Sequence, residues 1–300
     1  MAIKFLYQYP EVTGSDSDLL DAGEVGEVAA AVEGAGWHGF AFTEHPIPGS
    51  NWLEAGGHQT LDPFVALGYA AAVTTRVKLL TYLAVVPYRN PFLLAKSAAT
   101  VDKLSNGRFI LGTGTGYLKS EFHALGVDFE ERNALFDEAL EVLPLHWKGE
   151  PFSYTGKHFQ ARGVIARPRP VQDPIPIWIG GNAKVTLRRV AERAQGWMPL
   201  QGPPSLSTTA RTPHLEGLDG LAAKIAEMRA MAGDRADHID VAVSHHGASL
   251  GNLKDVEQHR DFFGRAEEMG ATWVVVPGST SSPSETLDFL REFGATYIAP

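Results

Sequence analysis

The chain contains no cysteine, which excludes disulfides and thiolate metal sites. It has no apolar run of membrane-spanning length. Its first residues lack the basic region and long apolar stretch of a secretory signal. A cytoplasmic protein with no membrane partner is expected. Positive charge is in deficit: 26 Lys and Arg stand against 35 Asp and Glu, for a formal net charge of −9. That argues against a general nucleic-acid binder and leaves room for a local basic pocket for an anionic cofactor. Catalytic signatures of several classes are missing too. There is no His-Glu-x-x-His and no carboxylate cluster, so no metal site is expected. There is no Gly-x-Ser-x-Gly elbow. A glycosidase needs two carboxylates at its active face, and only Glu44 presents itself.

What is present is an alternation. The 300 residues are 44% hydrophobic and 20% charged, ordinary for a globular protein with a sizeable core. Apolar strand-like runs begin at Ile3, Gly39, Val77, Arg108, Ile175, Trp197, Ile239 and Thr272, each followed by a helical pattern. Asp62-Pro63 and Asn90-Pro91 set a capping side chain before a proline at the first helical position. Asp16, Ser17 and Asp18 are candidate caps of a first helix ending near Ala35. Asp128 to Glu131 and Ser282 to Glu285 read as capping boxes; Pro144 should kink the helix that the first of them opens. Residues 149–174 depart from the rhythm: Phe152 to Phe159 suggests a hairpin, followed by four prolines between 168 and 176. Residues 201–217, rich in Pro, Ser and Thr, read as a lid loop. Eight strand–helix units predict a (β/α)8 barrel of one domain over 1–300, with an excursion between strands four and five and the lid after strand six. A doubly wound open sheet is the alternative.

In such a barrel the active site lies at the C-terminal strand ends. If Phe40 and Phe42 face helices, period-two alternation points His45 inward at its strand tip and Glu44 away from it. His45 is the candidate acid/base. Only one of the adjacent His245 and His246 can face the cavity. The run Leu111 to Gly116, with Gly112, Gly114 and Gly116, either brings backbone amides near a ligand or relieves crowding at a strand end; it is not the strict dinucleotide fingerprint. Gly180, Gly181 and Asn182 open a helix and offer free amides to a phosphate, with Asn182 as the cap. Together these features point to a cofactor enzyme, in which the protein supplies position and electrostatics.

Several runs, taken jointly, carry a family resemblance: Pro87 to Pro91, Asp102 to Arg108, Leu111 to Gly116 with Glu121, Pro168 to Gln172, Pro176 to Gly181 and Gly196 to Pro199. Over most of residues 1–200 the chain resembles the luciferase-like monooxygenase superfamily, and within it the F420-dependent oxidoreductases. The resemblance implies a barrel holding a flavin or deazaflavin, backed by a bulge in strand three, often with a non-prolyl cis peptide, near Tyr82, Leu83 and Ala84. It implies catalytic roles for His45 and Glu44. Cofactor contacts are implied at Leu83, Ala84, Thr113 and Gly114 and, for the phosphate, at Gly180, Gly181 and Asn182. The basic residues Lys184, Arg188 and Arg189 near the phosphate end either meet the cofactor's polyanionic tail or form a solvated helix face. The expected activity is hydride transfer between coenzyme F420 and a small-molecule substrate. The alternatives are an FMN-dependent monooxygenase served by a separate reductase, and a non-catalytic flavin-binding barrel. A homodimer is expected. One departure stands out: where the F420-dependent sugar-phosphate dehydrogenases carry a glutamate after the strand-four glycines, this chain has Tyr117, which puts sugar-phosphate oxidation in doubt.

Overall fold

The computed structural model describes residues 3–13, 18–249, 251–279 and 282–299. Phe5 and Tyr7 are buried on one side of the first strand and Leu6 on the other, the pattern of a strand covered on both faces. Eight such strands lie parallel: β1 (Lys4–Gln8), β2 (Gly39–Phe42), β3 (Lys78–Thr81), β4 (Phe109–Gly114), β5 (Ile177–Gly180), β6 (Gly196–Met198), β7 (Asp240–Ser244) and β8 (Trp273–Pro277). Each pairs with the next, β4 pairs with β5, and β8 returns to β1. The sheet is therefore closed, which decides for the (β/α)8 barrel over the open sheet. Leu6, Leu80, Ile110, Trp178, Trp273 and Val275 fill the interior.

The outer layer is α1 (Val25–Gly34), α2 (Pro63–Val73), α3 (Pro91–Leu104), α4 (Arg132–Trp147), α5 (Lys184–Arg193), α6 (Gly217–Ala232), α7 (Val256–Glu268) and α8 (Pro283–Phe293). The Asp62 carboxylate accepts from the N–H groups of Phe64 and Val65, Asn90 from Phe92, and Ser282 from Glu285, so these three caps form as expected. Two others do not. Helix α1 starts at Val25, not near residue 18; Asp18 accepts from Leu20 N–H in a preceding turn, and Asp16 and Ser17 lie outside the described residues. At α4 no capping box closes, because Lys157 and His158 claim the Glu131 carboxylate. Helix α4 runs on with Pro144 inside it.

The excursion between β4 and β5 is an antiparallel hairpin, Phe152–Thr155 with Gln160–Val164. It is fastened to α4 by Glu138, which accepts from the N–H groups of His158 and Phe159 at 3.0 and 2.8 Å. The lid expected at 201–217 contains a short helix, Pro204–Thr209. Buried Arg108 donates to the carbonyls of Ala71, Thr74, Val77 and Ser105. It thereby satisfies the end of α2, where carbonyls lack helical partners. Among the described residues no helix is long and apolar enough to cross a membrane.

Candidate active site

The strand tips converge at the C-terminal mouth, and β3 shapes its floor. After Thr81 the Tyr82–Leu83 peptide is cis. The chain then re-enters as Ala84–Val85, paired with Thr113 and Gly114. This is the bulge expected near Tyr82, Leu83 and Ala84. Leu83 lies across two strand tips: a Cβ added at Gly114 would stand 2.5 Å from its Cδ1, and one at Gly180 would stand 2.3 Å from its Cδ2. Gly112 has a different reason. A Cβ there would meet the Thr81 carbonyl oxygen at 1.9 Å, so glycine is required by close strand contact. Crowding thus accounts for Gly112, while Gly114 and Gly180 make room for Leu83.

Alternation separates Glu44 from His45. Glu44 is buried, and its carboxylate accepts from the Val85 N–H at 2.6 Å and from the Arg89 guanidinium. Burial pushes its pKa above the usual carboxylate range, with the Arg89 charge opposing. Its contacts fasten the β2 tip to the bulge. His45 turns the other way, into a cluster with Trp52 at 4.7 Å, His58 at 4.8 Å and Tyr117 at 6.0 Å between ring centroids. Its Nδ1 lies 3.3 Å from Oε2 of Glu121, a carboxylate with no exposed surface. The same oxygen accepts from the Tyr88 hydroxyl at 2.6 Å. Burial, then the Glu121 contact, raises the Tyr88 pKa, so that hydroxyl keeps its proton and donates. In the tautomer whose Nδ1 donates to the Glu121 carboxylate, Nε2 is the nitrogen left to take a proton. No hydrogen bond within the described residues occupies Nε2.

Around this pair sit groups the sequence did not single out. Glu11, beyond β1, places Oε2 3.3 Å from Nδ1 of His58 and accepts from Gln8 at 2.8 Å. Burial raises its pKa. Burial, together with the neighbouring His45, pulls His58 down to about 3, so that ring is neutral. Across the mouth the Tyr82 hydroxyl and Ser244 Oγ are 2.8 Å apart, and burial pushes Tyr82 up to about 12. Glu121 was visible as part of the resemblance, but its contact with His45 spans 76 positions. His58 is held by a two-residue ribbon with Val12–Thr13, too short to read from periodicity.

The residues expected to seat a phosphate are largely engaged within the chain. Gly181 N–H donates to Met198 O, and Asn182 N–H to Thr212 Oγ1. The Asn182 side chain joins Leu200 and Pro213. It is not the cap of α5, because Ala183 occupies that place; the loop after β6 has taken the amide that capping would need. Unbonded helix amides therefore start beyond it, in the first turn of α5. Thr113 donates its hydroxyl to Trp178 O. Arg189 is buried in a two-oxygen ion pair with Asp137 at 2.6 and 2.8 Å, so it braces α4 against α5 and is not free to meet a tail. His245 faces the helices, 2.8 Å from His259 and with its ring tilted against Phe262 at 4.3 Å, and burial pushes it down to about 4. His246 is exposed. Among the described residues no group of three or more His, Asp or Glu is placed to hold a metal ion.

Residues 3–272 match the family described as luciferase-like monooxygenase, and the chain belongs to that family. It is 31% identical over 220 residues to an uncharacterized protein of Mycobacterium tuberculosis, covering 73% of this chain and 68% of that one. It is 29% identical over 196 residues to the F420-dependent glucose-6-phosphate dehydrogenase of Gordonia bronchialis, covering 63% and 56%. Among solved structures, the monooxygenase RslO1 of Streptomyces bottropensis superimposes with a TM-score of 0.76 at 20% identity over 99% of both chains. An F420-dependent secondary alcohol dehydrogenase bound to an F420–acetone adduct does so at 0.72 and 17%, over 99% and 98%. The structures support the fold; the family makes this an enzyme of the luciferase-like type, whose members include flavin- and F420-dependent oxidoreductases.

Proposed function

We propose that this enzyme moves a hydride between coenzyme F420 and a small organic alcohol or carbonyl compound. The observation that carries the reading is the His45 ring, held at Nδ1 by Glu121 with Nε2 left for chemistry. The fit to a planar ring rests on Leu83 as an apolar floor over glycine strand tips and on the α5 amino end for the phosphate. When bound, F420 supplies or accepts the hydride at C5. As an alcohol carbon gives up a hydride, its oxygen must lose a proton, and Nε2 of His45 takes it; carbonyl reduction returns it. Glu121 stabilises the imidazolium so formed, and Tyr88 fixes the carboxylate. Glu44 acts as a positioning residue for the bulge. Tyr117 keeps its proton, since burial and then Glu11 and Glu121 raise its pKa; it offers a donor where a carboxyl would offer an acid. We therefore read the substrate as other than a sugar phosphate.

The F420-named relative is 29% identical, which favours F420 over FMN. The monooxygenase reading draws on the 0.76 superposition with the monooxygenase RslO1; with FMN as cofactor it would add a reductase as partner. Parallel fluorescence titration with F420 and FMN, oxidised and reduced, separates them: binding of FMN alone would overturn the F420 reading. His45→Ala should abolish turnover while leaving cofactor affinity in place.

We also propose a homodimer in the cytoplasm, built from one barrel domain per chain. Helix α2 exposes Val65, Tyr69 and Val73 at 74%, 53% and 42%, one stripe at helical spacing, and neighbouring α3 exposes Leu93 and Leu104 at 65% and 64%. A Val65→Glu, Tyr69→Glu variant should sediment at monomer mass, whereas a wild-type monomer would refute the dimer.

A further inference from the structure

Of the three cations expected for the cofactor's tail, a phosphodiester followed by carboxylates, Arg189 is engaged by Asp137, and Lys184 and Arg188 stand exposed on α5. The apolar wall of the mouth leads elsewhere. From Leu83 and Val85 a small cluster continues through Phe122 to Phe129, with Phe122 and Phe129 edge to face at 5.1 Å. Three cations gather on the Phe129 ring: Lys119 Nζ at 4.9 Å, Arg132 Cζ at 3.8 Å and Arg211 Cζ at 5.2 Å. They come from three separate segments: the short helix Lys119–Ala124 after β4, the start of α4, and the lid after β6. Their acidic neighbour is Glu130, 3.6 Å from Lys119 and 4.0 Å from Arg132 and itself 75% exposed. Three cations against one solvated carboxylate leave the cluster with a net positive formal charge. Burial lowers the Arg132 pKa, opposed by Glu130 and, more weakly, reinforced by the Arg211 charge. Arg211 also holds a left-handed backbone, φ 52°, uncommon for a side chain of this kind. It directly precedes Thr212, whose hydroxyl binds the Asn182 N–H. The cations thus stand beside the phosphate end of the mouth in a chain of net charge −9.

We propose that Lys119, Arg132 and Arg211, assembled on Phe129, form the binding site for the polyanionic tail of F420, with Arg211 carried in by the lid. This rests on the F420 reading. It makes the lid a reader of the cofactor as well as a cover, because an anion between the loops relieves the repulsion that lid closure creates.

The test compares intact F420 with the same deazaflavin lacking its phosphodiester and glutamates, by equilibrium fluorescence titration of the full chain at several salt concentrations. Wild type should bind F420 on the order of tenfold more tightly than the tail-less form, with an advantage that shrinks as salt rises. The Lys119→Gln, Arg211→Gln double variant, altered at two exposed positions, should bind both forms alike. Lys119→Arg, Arg211→Lys should restore the preference, which separates charge from folding. If wild type binds both forms equally, or the Gln variant keeps the full preference, the tail site is wrong and the F420 reading stands. If neither deazaflavin binds and FMN does, both are wrong.

Discussion

Gly114→Ala offers a test of the mouth's floor that needs no substrate. The three atoms nearest an added Cβ all belong to Leu83: Cδ1 at 2.5 Å, Cδ2 at 3.1 Å and Cγ at 3.4 Å. Ordinary contact begins near 3.4 Å, so the leucine must retreat by nearly an ångström into a wall shared with Gly180. Overpacking of this kind costs about 1–3 kcal/mol. Leu83→Ala removes the obstructing atoms; being partly exposed, it should cost about 1–2 kcal/mol, less than a fully buried leucine. In the Leu83→Ala background Gly114→Ala should then cost under about 0.5 kcal/mol, giving a coupling of about −1.5 kcal/mol. Urea denaturation of the four proteins, with the slope m checked for constancy, measures this. Gly112→Ala is the control. Its obstacle is the Thr81 carbonyl, which truncating Leu83 does not move, so no rescue should appear. Additive costs for Gly114 and Leu83, within about 0.5 kcal/mol, would show that Leu83 does not lie over the β4 tip.

The remaining predictions concern chemistry and pH. Glu121→Gln presents an amide that can donate to Nδ1, so His45 loses its enforced tautomer; kcat should fall about 10²-fold with cofactor affinity kept, and unchanged kcat in a steady-state assay would remove Glu121 from the mechanism. Glu33 accepts from the N–H groups of Thr75, Arg76 and Val77 at 3.0 Å or less. Burial opposes the shift, but these bonds pull its pKa from 4.5 to about 2. A depressed folded-state pKa stabilises above the unfolded value, so this contribution is complete above pH 4.5 and is lost as pH falls toward 2. Glu33→Gln should lower stability by about 1–2 kcal/mol at pH 7 and by much less at pH 3; equal losses at both pH values by thermal denaturation would contradict the assignment.

Much of the barrel was legible because its signals are local. Proline after Asp62 and Asn90, and Ser282 three residues before Glu285, mark helix starts that the backbone N–H groups confirm. Period-two burial in β1 and β2 told inside from outside. The same rule parted Glu44 from His45, which the resemblance alone would have joined as a catalytic pair. Local signals mislead where a distant segment competes better for the same polar group. Glu131 satisfies Lys157 and His158 instead of its own helix, and Asn182 is drawn to Leu200 and Pro213 instead of capping α5. The site fails to read from sequence for the same reason. Glu11, His45, His58 and Glu121 belong to no common periodicity, and their contacts are made by strand closure around the barrel. Carboxylates that look scarce along the chain are therefore not scarce in space. Glu11 and Glu121 each lie 3.3 Å from an imidazole nitrogen, so the mouth holds two carboxylate–histidine pairs side by side. Burial neutralises His58, while His45 has the fully buried Glu121 behind it, and the proposed proton transfer at a single oxygen rests on that difference.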